Sequence, residues 1–218
     1  MSKQTKLPTR RKIVRNRIIA ALVMLFLTNW VYRTGHLFPT QVVGDWEERI
    51  GAGKLETVKW KFDPEIDASL LSGQIFLVGN PYVTALVGAD FDLTQGWRSN
   101  GWELLPTRDG QTLYAGAEHY HSAFPRREPG EPWNEILYLF GRVDDPDIQR
   151  LEFEIRSGSD LANVSYLTSI RDDWMTEGEY TYFLVRWEIE DLQGRMDLQQ
   201  TTAYDAAGNV VATVPGDT

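Results

Sequence analysis

The spacing of apolar positions along this chain changes twice, and each spacing predicts a different kind of element. Ile18 to Tyr32 reads IIAALVMLFLTNWVY, apolar with no period, as a helix surrounded by lipid would be. From Phe38 to Ile50 the period becomes helical. Val42, Trp46 and Ile50 fall on one face, Pro39 sits near the first turn, and Gly51 and Gly53 follow the last. From Leu55 onward the period is two. Val58, Trp60 and Phe62 alternate with Lys59 and Lys61, which predicts a half-buried strand with the aromatic side inward.

The same alternation recurs with Leu151, Phe153 and Ile155 against Arg150, Glu152, Glu154 and Arg156, and with Phe183, Val185, Trp187 and Ile189. Further strands are expected over Gln74–Val78, Tyr82–Asp92, Leu113–His121, Ile136–Val143, Leu198–Tyr204 and Val210–Val214. Clusters of Gly, Pro, Asn and Asp separate them, and two connections read as tight hairpins: Asp144 to Asp147 and Asp205 to Asn209. The expected fold is mainly β, an antiparallel sandwich or open barrel with one short N-terminal helix behind a single transmembrane helix. An α+β sheet is the alternative.

Charge gives the apolar run its orientation. Seven basic residues (Lys3, Lys6, Arg10, Arg11, Lys12, Arg15 and Arg17) and no acidic one precede it, and Trp30 and Tyr32 close it. Positive flanks stay on the cytoplasmic side of a bilayer and aromatic rings settle at its interface, so the C-terminal part is expected outside. Fifteen helical residues span about 22 Å against a hydrocarbon core of roughly 30 Å, which is short unless Arg15 and Arg17 snorkel. A cleaved signal segment is the competing reading, but no small-x-small site follows in NWVYRTGH. The resulting partition is a basic cytoplasmic tail over 1–17, an anchor over 18–32, a juxtamembrane helix over 33–54 and an extracytoplasmic β domain over 55–218.

The chain carries 22 basic and 31 acidic residues, and setting aside the seven before Arg33 leaves 15 against 31, a net of −16. Such a field repels nucleic acid and anionic polymers and favours basic partners. There is no cysteine, hence no disulfide framework, thiolate metal site, cysteine nucleophile or lipid-modified cysteine.

Candidate chemistry is sparse. His119 and His121 form an H-x-H pair that a strand would project from one face, where both imidazoles could reach one metal ion with a third ligand from elsewhere. Asp144, Asp145 and Asp147 would suit either a hard cation or a turn. Asp90 with Asp92, and Asp172 with Asp173, are carboxylate pairs of the kind glycoside hydrolysis uses. No nucleophile elbow, P-loop or dinucleotide fingerprint is present, and no cofactor is expected. Trp97, Trp102, Trp133 and Trp174 fall in stretches that read as loops. Gln95–Trp102 and Pro125–Trp133 are therefore the expected recognition surface, with Trp97, Trp102 and Trp133 offered to a protein or glycan partner of the envelope.

The stretches Gly79-Asn80-Pro81, Leu137 to Ile148 (LYLFGRVDDPDI) and Thr201 to Val211 (TTAYDAAGNVV), behind a basic N-terminal anchor, resemble single-pass extracytoplasmic proteins of Gram-positive spore-forming bacteria. That resemblance implies an envelope location and carries over no catalytic residue. The expected role is a non-catalytic interaction or sensing module, with a metal- or carboxylate-dependent hydrolase of envelope polymers as the alternative.

Overall fold

A computed structural model describes residues 10–32, 36, 38–63, 73–92, 96–121, 133–192 and 195–216. Two helices lead the chain: α1 (Arg10–Tyr32) and α2 (Thr40–Ile50). Twelve strands follow among the described residues: β1 (Glu56–Phe62), β2 (Gln74–Asn80), β3 (Val83–Asp92), β4 (Gly96–Pro106), β5 (Leu113–His121), β6 (Trp133–Val143), β7 (Arg150–Gly158), β8 (Asn163–Ile170), β9 (Met175–Glu177), β10 (Tyr180–Leu192), β11 (Arg195–Tyr204) and β12 (Val210–Pro215). They form three four-stranded sheets, here called A (β1-β2-β3-β4), B (β5-β6-β10-β9) and C (β12-β11-β7-β8), and every paired neighbour is antiparallel.

Three cores bind these layers in the order α2, A, B, C. Val42, Val43 and Trp46 of α2 pack on Phe76, Val78, Val83, Ala85, Val87 and Ala89 of sheet A. On the other face of that sheet, Ile75, Leu77, Leu86 and Leu105 meet Ile136, Tyr138 and Phe140 of sheet B. The reverse face of sheet B carries Leu137, Leu139 and Phe183 onto Leu151, Phe153, Ile155 and Leu198 of sheet C. Sheet B is thus covered twice, which is why β6 is buried at every position from Glu135 to Val143 rather than at alternate ones. The fold is mainly β and antiparallel, as expected, with one more sheet than a two-sheet sandwich.

α2 ends where glycine permits it. Gly51 takes the left-handed conformation at φ 65° and returns its N–H to the Glu47 carbonyl. Gly79-Asn80-Pro81 and the LYLFGRVDDPDI stretch turn out to be joined. Arg142, 1% exposed, lies between the rings of Tyr114 and Tyr180, pairs with Asp144 at 2.8 Å and donates to the Asn80 carbonyl at 3.1 Å. It ties the β2–β3 turn to sheet B.

Three expectations need correction. Asp144–Asp147 is not a hairpin, because β6 lies in sheet B and β7 in sheet C; the turn, closed by the Asp147 N–H on Asp145 at 2.9 Å, hands the chain from one sheet to the next. β4 occupies a stretch that reads as loop, and β8 and β9 were also not expected. On β1 Val58 packs on the A–B core as expected, but the faces exchange after it: Trp60 is 60% exposed and donates to Gln74 at 2.5 Å, whereas Lys61 turns toward sheet B with its ammonium 5.3 Å from the Tyr138 ring. A bulge between Thr57 and Lys59 shifts the register and so exchanges the faces. No helix among the described residues is long and apolar enough to cross a membrane. α1 covers the expected anchor but reaches back to Arg10 through Arg15 and Arg17, so its apolar stretch stays short. The second expected hairpin stands: Asp205 receives the N–H groups of Ala207 and Asn209 at 2.9 and 2.8 Å and joins β11 to β12.

Candidate functional site

Trp97 and Trp102, in a stretch that reads as loop, lie on a strand. Trp97 lies in β4, half-buried against the α2–sheet A core, with its ring 5.4 Å from Phe91 and its backbone bridged to His36 at 2.8 and 3.0 Å. Trp102, on the same strand, is 51% exposed with its ring 4.2 Å from the buried Trp46. Trp133 opens β6 opposite Leu192, and its side chain lies outside the described residues, as do 122–132 of the Pro125–Trp133 stretch. Trp174 packs on the core between sheets B and C and donates to Ser169 at 2.8 Å. His119 is exposed on β5, and His121 pairs through its backbone with Glu135, its side chain also outside the described residues. Among the described residues no group of three His, Asp or Glu side chains is placed to hold a metal ion.

The structure instead gathers polar groups between sheets A and B. The β3–β4 register breaks so that Gly88 opposes both Asn100 and Gly101, the latter at φ +88°. Such a bulge leaves an extra residue out of the ladder and re-aims its neighbours. Facing it, β5 presents Glu118 and Tyr120. A Cβ on Gly101 would lie 2.5 Å from Glu118 Oε1 and 3.4 Å from the Tyr120 hydroxyl, and one on Gly88 would lie 2.6 Å from that hydroxyl. Only glycine lets the two sheets close over these side chains.

Burial, then the Glu103 carboxylate, pushes the Glu118 carboxyl up to about 7. Tyr120 is 5% exposed, and its hydroxyl makes no hydrogen bond. Burial first, and then the negative charges of Glu118 and Asp90, hold that phenol well above its ordinary range. Its ring stands edge-on to Tyr138 at 6.0 Å.

Tyr138 belongs to a neighbouring, saturated network. Its hydroxyl donates to Asp63, which is 3% exposed and also receives Arg186 Nε at 2.6 Å. Arg186 reaches Glu188 at 3.1 Å, and Lys61 lies 3.9 Å from Asp63. The Asp63 N–H bonds the Gly73 carbonyl at 2.8 Å, and the Gly73 N–H bonds Asp90 at 3.1 Å, closing sheet A onto the network. This half is a structural clamp. The Glu118–Tyr120 half holds the proton that comes off near neutral pH.

Comparison with known protein families, curated proteins and solved structures finds no match. The site therefore stands on its geometry. Of its members, the sequence pointed to Asp90, and to Asn100 and Gly101 only as part of Gln95–Trp102. Glu118 and Tyr120 occupy the positions on β5 interleaved with His119 and His121, so the signal was an acid and a phenol two residues apart on the neighbouring parity.

A raised carboxyl favours its proton in the folded state. Glu118 therefore contributes fully below its unfolded value near 4.5, and that contribution is lost as pH rises through about 7. Chemical denaturation at pH 5 and pH 8 should show wild type losing about 1 to 2 kcal/mol more than Glu118→Gln, a figure reduced for solvent screening of a half-buried group. Equal losses would mean that Glu118 is solvated like an ordinary carboxylate. The charged group acting on it is Glu103 from β4, and Tyr138 of β6 is its cross-strand neighbour.

Proposed function

We propose that this chain is a membrane-tethered, non-catalytic binding module of the bacterial envelope, its N-terminus cytoplasmic and its acidic β domain outside. The observation that carries this reading is the condition of α1. Ile13, Val14, Ile18, Ile19, Leu22, Val23, Met24, Leu25 and Leu27 are 40 to 65% exposed, and none joins any of the three cores. Apolar side chains on every side of an unpacked helix are stabilised by lipid rather than water, at about 25 cal/mol for each Å² removed. The basic flank and the net charge of −16 beyond it support the orientation. The short apolar stretch is accommodated by local thinning of the bilayer and by snorkelling of Arg15 and Arg17.

Fractionation tests this. The full chain is expected in the membrane pellet after alkaline carbonate extraction, with the β domain cleaved by protease added outside intact cells. Replacing Leu22 and Leu25 with arginine should release it. A wild-type chain that is extracted by carbonate, or a domain protected in intact cells, overturns the reading.

One observation favours a second reading. A glutamic acid poised near pH 7 beside another glutamate has the character of a general acid, which suits a carboxylate-dependent hydrolase of envelope polymers. Turnover of labelled cell-wall polymer that Glu118→Gln abolishes would support it.

A further inference from the structure

We propose that Phe38, Trp60, Phe62 and Trp102 form an aromatic rim on the α2 side of sheet A that rests in the headgroup region of the bilayer and holds the β domain against the membrane. The inference rests on the reading of the chain as membrane-tethered and adds the surface by which the domain meets lipid.

The placement of the exposed rings is the first ground. Among the described residues, the phenylalanines and tryptophans that stay largely exposed are these four, at 45 to 62%. Trp60 and Trp102 stand in one row across sheet A: Trp60 opposite Phe76, Phe76 opposite Val87, and Val87 opposite Trp102. Residues opposite one another in antiparallel strands share a face, and Phe76 and Val87 are on the face that α2 packs against. α2 lies mainly over the middle strands β2 and β3, so the two tryptophans flank it on the edge strands, three strand spacings or about 14 Å apart. Phe62 continues the row of Trp60 along β1, and Phe38 immediately precedes α2.

The tether is the second ground. Tyr32 ends α1 four residues before His36, a reach of at most about 14 Å. His36 is bound to Trp97 by two backbone hydrogen bonds of 2.8 and 3.0 Å. Trp97 and its partner Phe91 form the level of sheet A just beyond the one that Phe62 shares with Gln74, Ala89 and Ser99. An α1 held in the membrane therefore brings this end of sheet A to the lipid surface, and the rim is at the same end. Tethering also makes lipid a neighbour at high effective concentration, which a free protein or glycan is not.

Chemistry supplies the third ground. Indole and phenyl rings settle at a membrane–water interface, where an apolar ring is sheltered and an indole N–H keeps a polar partner, as Trp60 does with Gln74. The net charge of −16 beyond the anchor, with Asp45 and Glu48 exposed on α2, gives no attraction to anionic headgroups. The contact is thus made by rings rather than charge, and salt should not screen it.

The chain has no cysteine, so one fluorophore can be placed per variant to test this. Full-length chains labelled with nitrobenzoxadiazole at Phe62→Cys, at Ile19→Cys in α1, or at Tyr166→Cys on the exposed face of sheet C are reconstituted into phosphatidylcholine vesicles, with and without lipid doxyl-labelled near the headgroup. The labels at 62 and 19 should each lose about half of their emission to the doxyl lipid, and the label at 166 less than about a tenth, because sheet C is the layer farthest from the rim. Quenching at 62 should be equal at low and high salt. Trp60→Ser with Trp102→Ser should reduce it at least about twofold and leave quenching at 19 unchanged; Trp60→Ser alone, which touches no core, should act in the same direction if the double variant does not fold. Quenching at 19 without quenching at 62 overturns the rim and leaves the tether standing, whereas no quenching at either site overturns both. Quenching at 62 that equals that at 166, that salt abolishes, or that survives the tryptophan substitutions also overturns the rim. A label at 62 that becomes shielded in dodecyl maltoside as protein concentration rises assigns the face to a second copy of the chain instead.

Discussion

Gly141→Ala is expected to unfold the domain, or to cost at least about 4 kcal/mol, a large share of the roughly 5 to 15 kcal/mol that stabilises a folded domain. Gly141 sits in the middle of β6, paired with Ala115 on one side and Phe183 on the other. A Cβ there would press into the carbonyl oxygen of Tyr114 and lie 2.6 Å from Phe183 Cζ. Neither can yield. The carbonyl belongs to the β5 backbone, and the Phe183 ring, fully buried, is held between Phe153 at 5.5 Å and Trp174 at 6.3 Å. Overpacking of this kind propagates because β6 is covered on both faces. The conformation itself is not the obstacle, since Gly141 is not among the glycines with positive φ. Gly44→Ala in α2 is the control. Nothing lies within 4 Å of the added methyl, and relief of a helix-interior glycine should raise stability by about 0.5 to 1 kcal/mol. Urea unfolding of both variants checks the pair, and a Gly141→Ala midpoint within error of wild type would mean that sheet B is loosely packed.

Asp63→Ala should cost about 3 kcal/mol, because it takes from the buried Tyr138 hydroxyl and from Arg186 Nε the acceptor they share, although Arg186 keeps Glu188. Asp63→Asn should cost less, since an amide oxygen still accepts one of the two bonds. A double-mutant cycle separates the effect of the pair from the effect of the site. With Arg186→Met in the background, where no charge remains to be stranded, removal of Asp63 should lose well over half its effect. The exposed pair Arg156–Glu154, at 3.4 Å, should contribute no more than about 0.5 kcal/mol in the same measurement. If Asp63→Ala and the surface pair cost the same, water enters the A–B layer and the network is not a clamp.

Legibility in the sequence followed contrast between the two faces of an element. β7 alternates Leu151, Phe153 and Ile155 with charged residues because sheet C has one face on the core and one in water, and its strand and its inward face were both readable. β4 was not readable. Gly96, Ser99, Asn100 and Gly101 read as turn residues, and what makes them strand is pairing with β3 around the Gly88 bulge. The Asp144–Asp147 turn showed that the chain reverses there; it carried no information on whether β7 rejoins sheet B or begins sheet C. Glu118 and Tyr120 were passed over for His119 and His121 because period two marks both parities of a strand equally. Only the sheet stacked on β5 decides which parity meets the acids of sheet A.

By itself, then, the sequence determined the segmentation into one apolar helix, one amphipathic helix and a run of strands. It also determined the charge split between a basic start and an acidic remainder. These are local properties, written in spacing and composition within one element's length. The tertiary structure decided the number of sheets, the sheet that is covered twice, the inward turn of Lys61 and the gathering of Asp63, Asp90, Glu103, Glu118 and Tyr120 into one layer. Those outcomes depend on contacts between residues as many as 123 positions apart, as Asp63 and Arg186 are. In a strand packed on both faces, hydrophobic contrast no longer says which neighbour lies where.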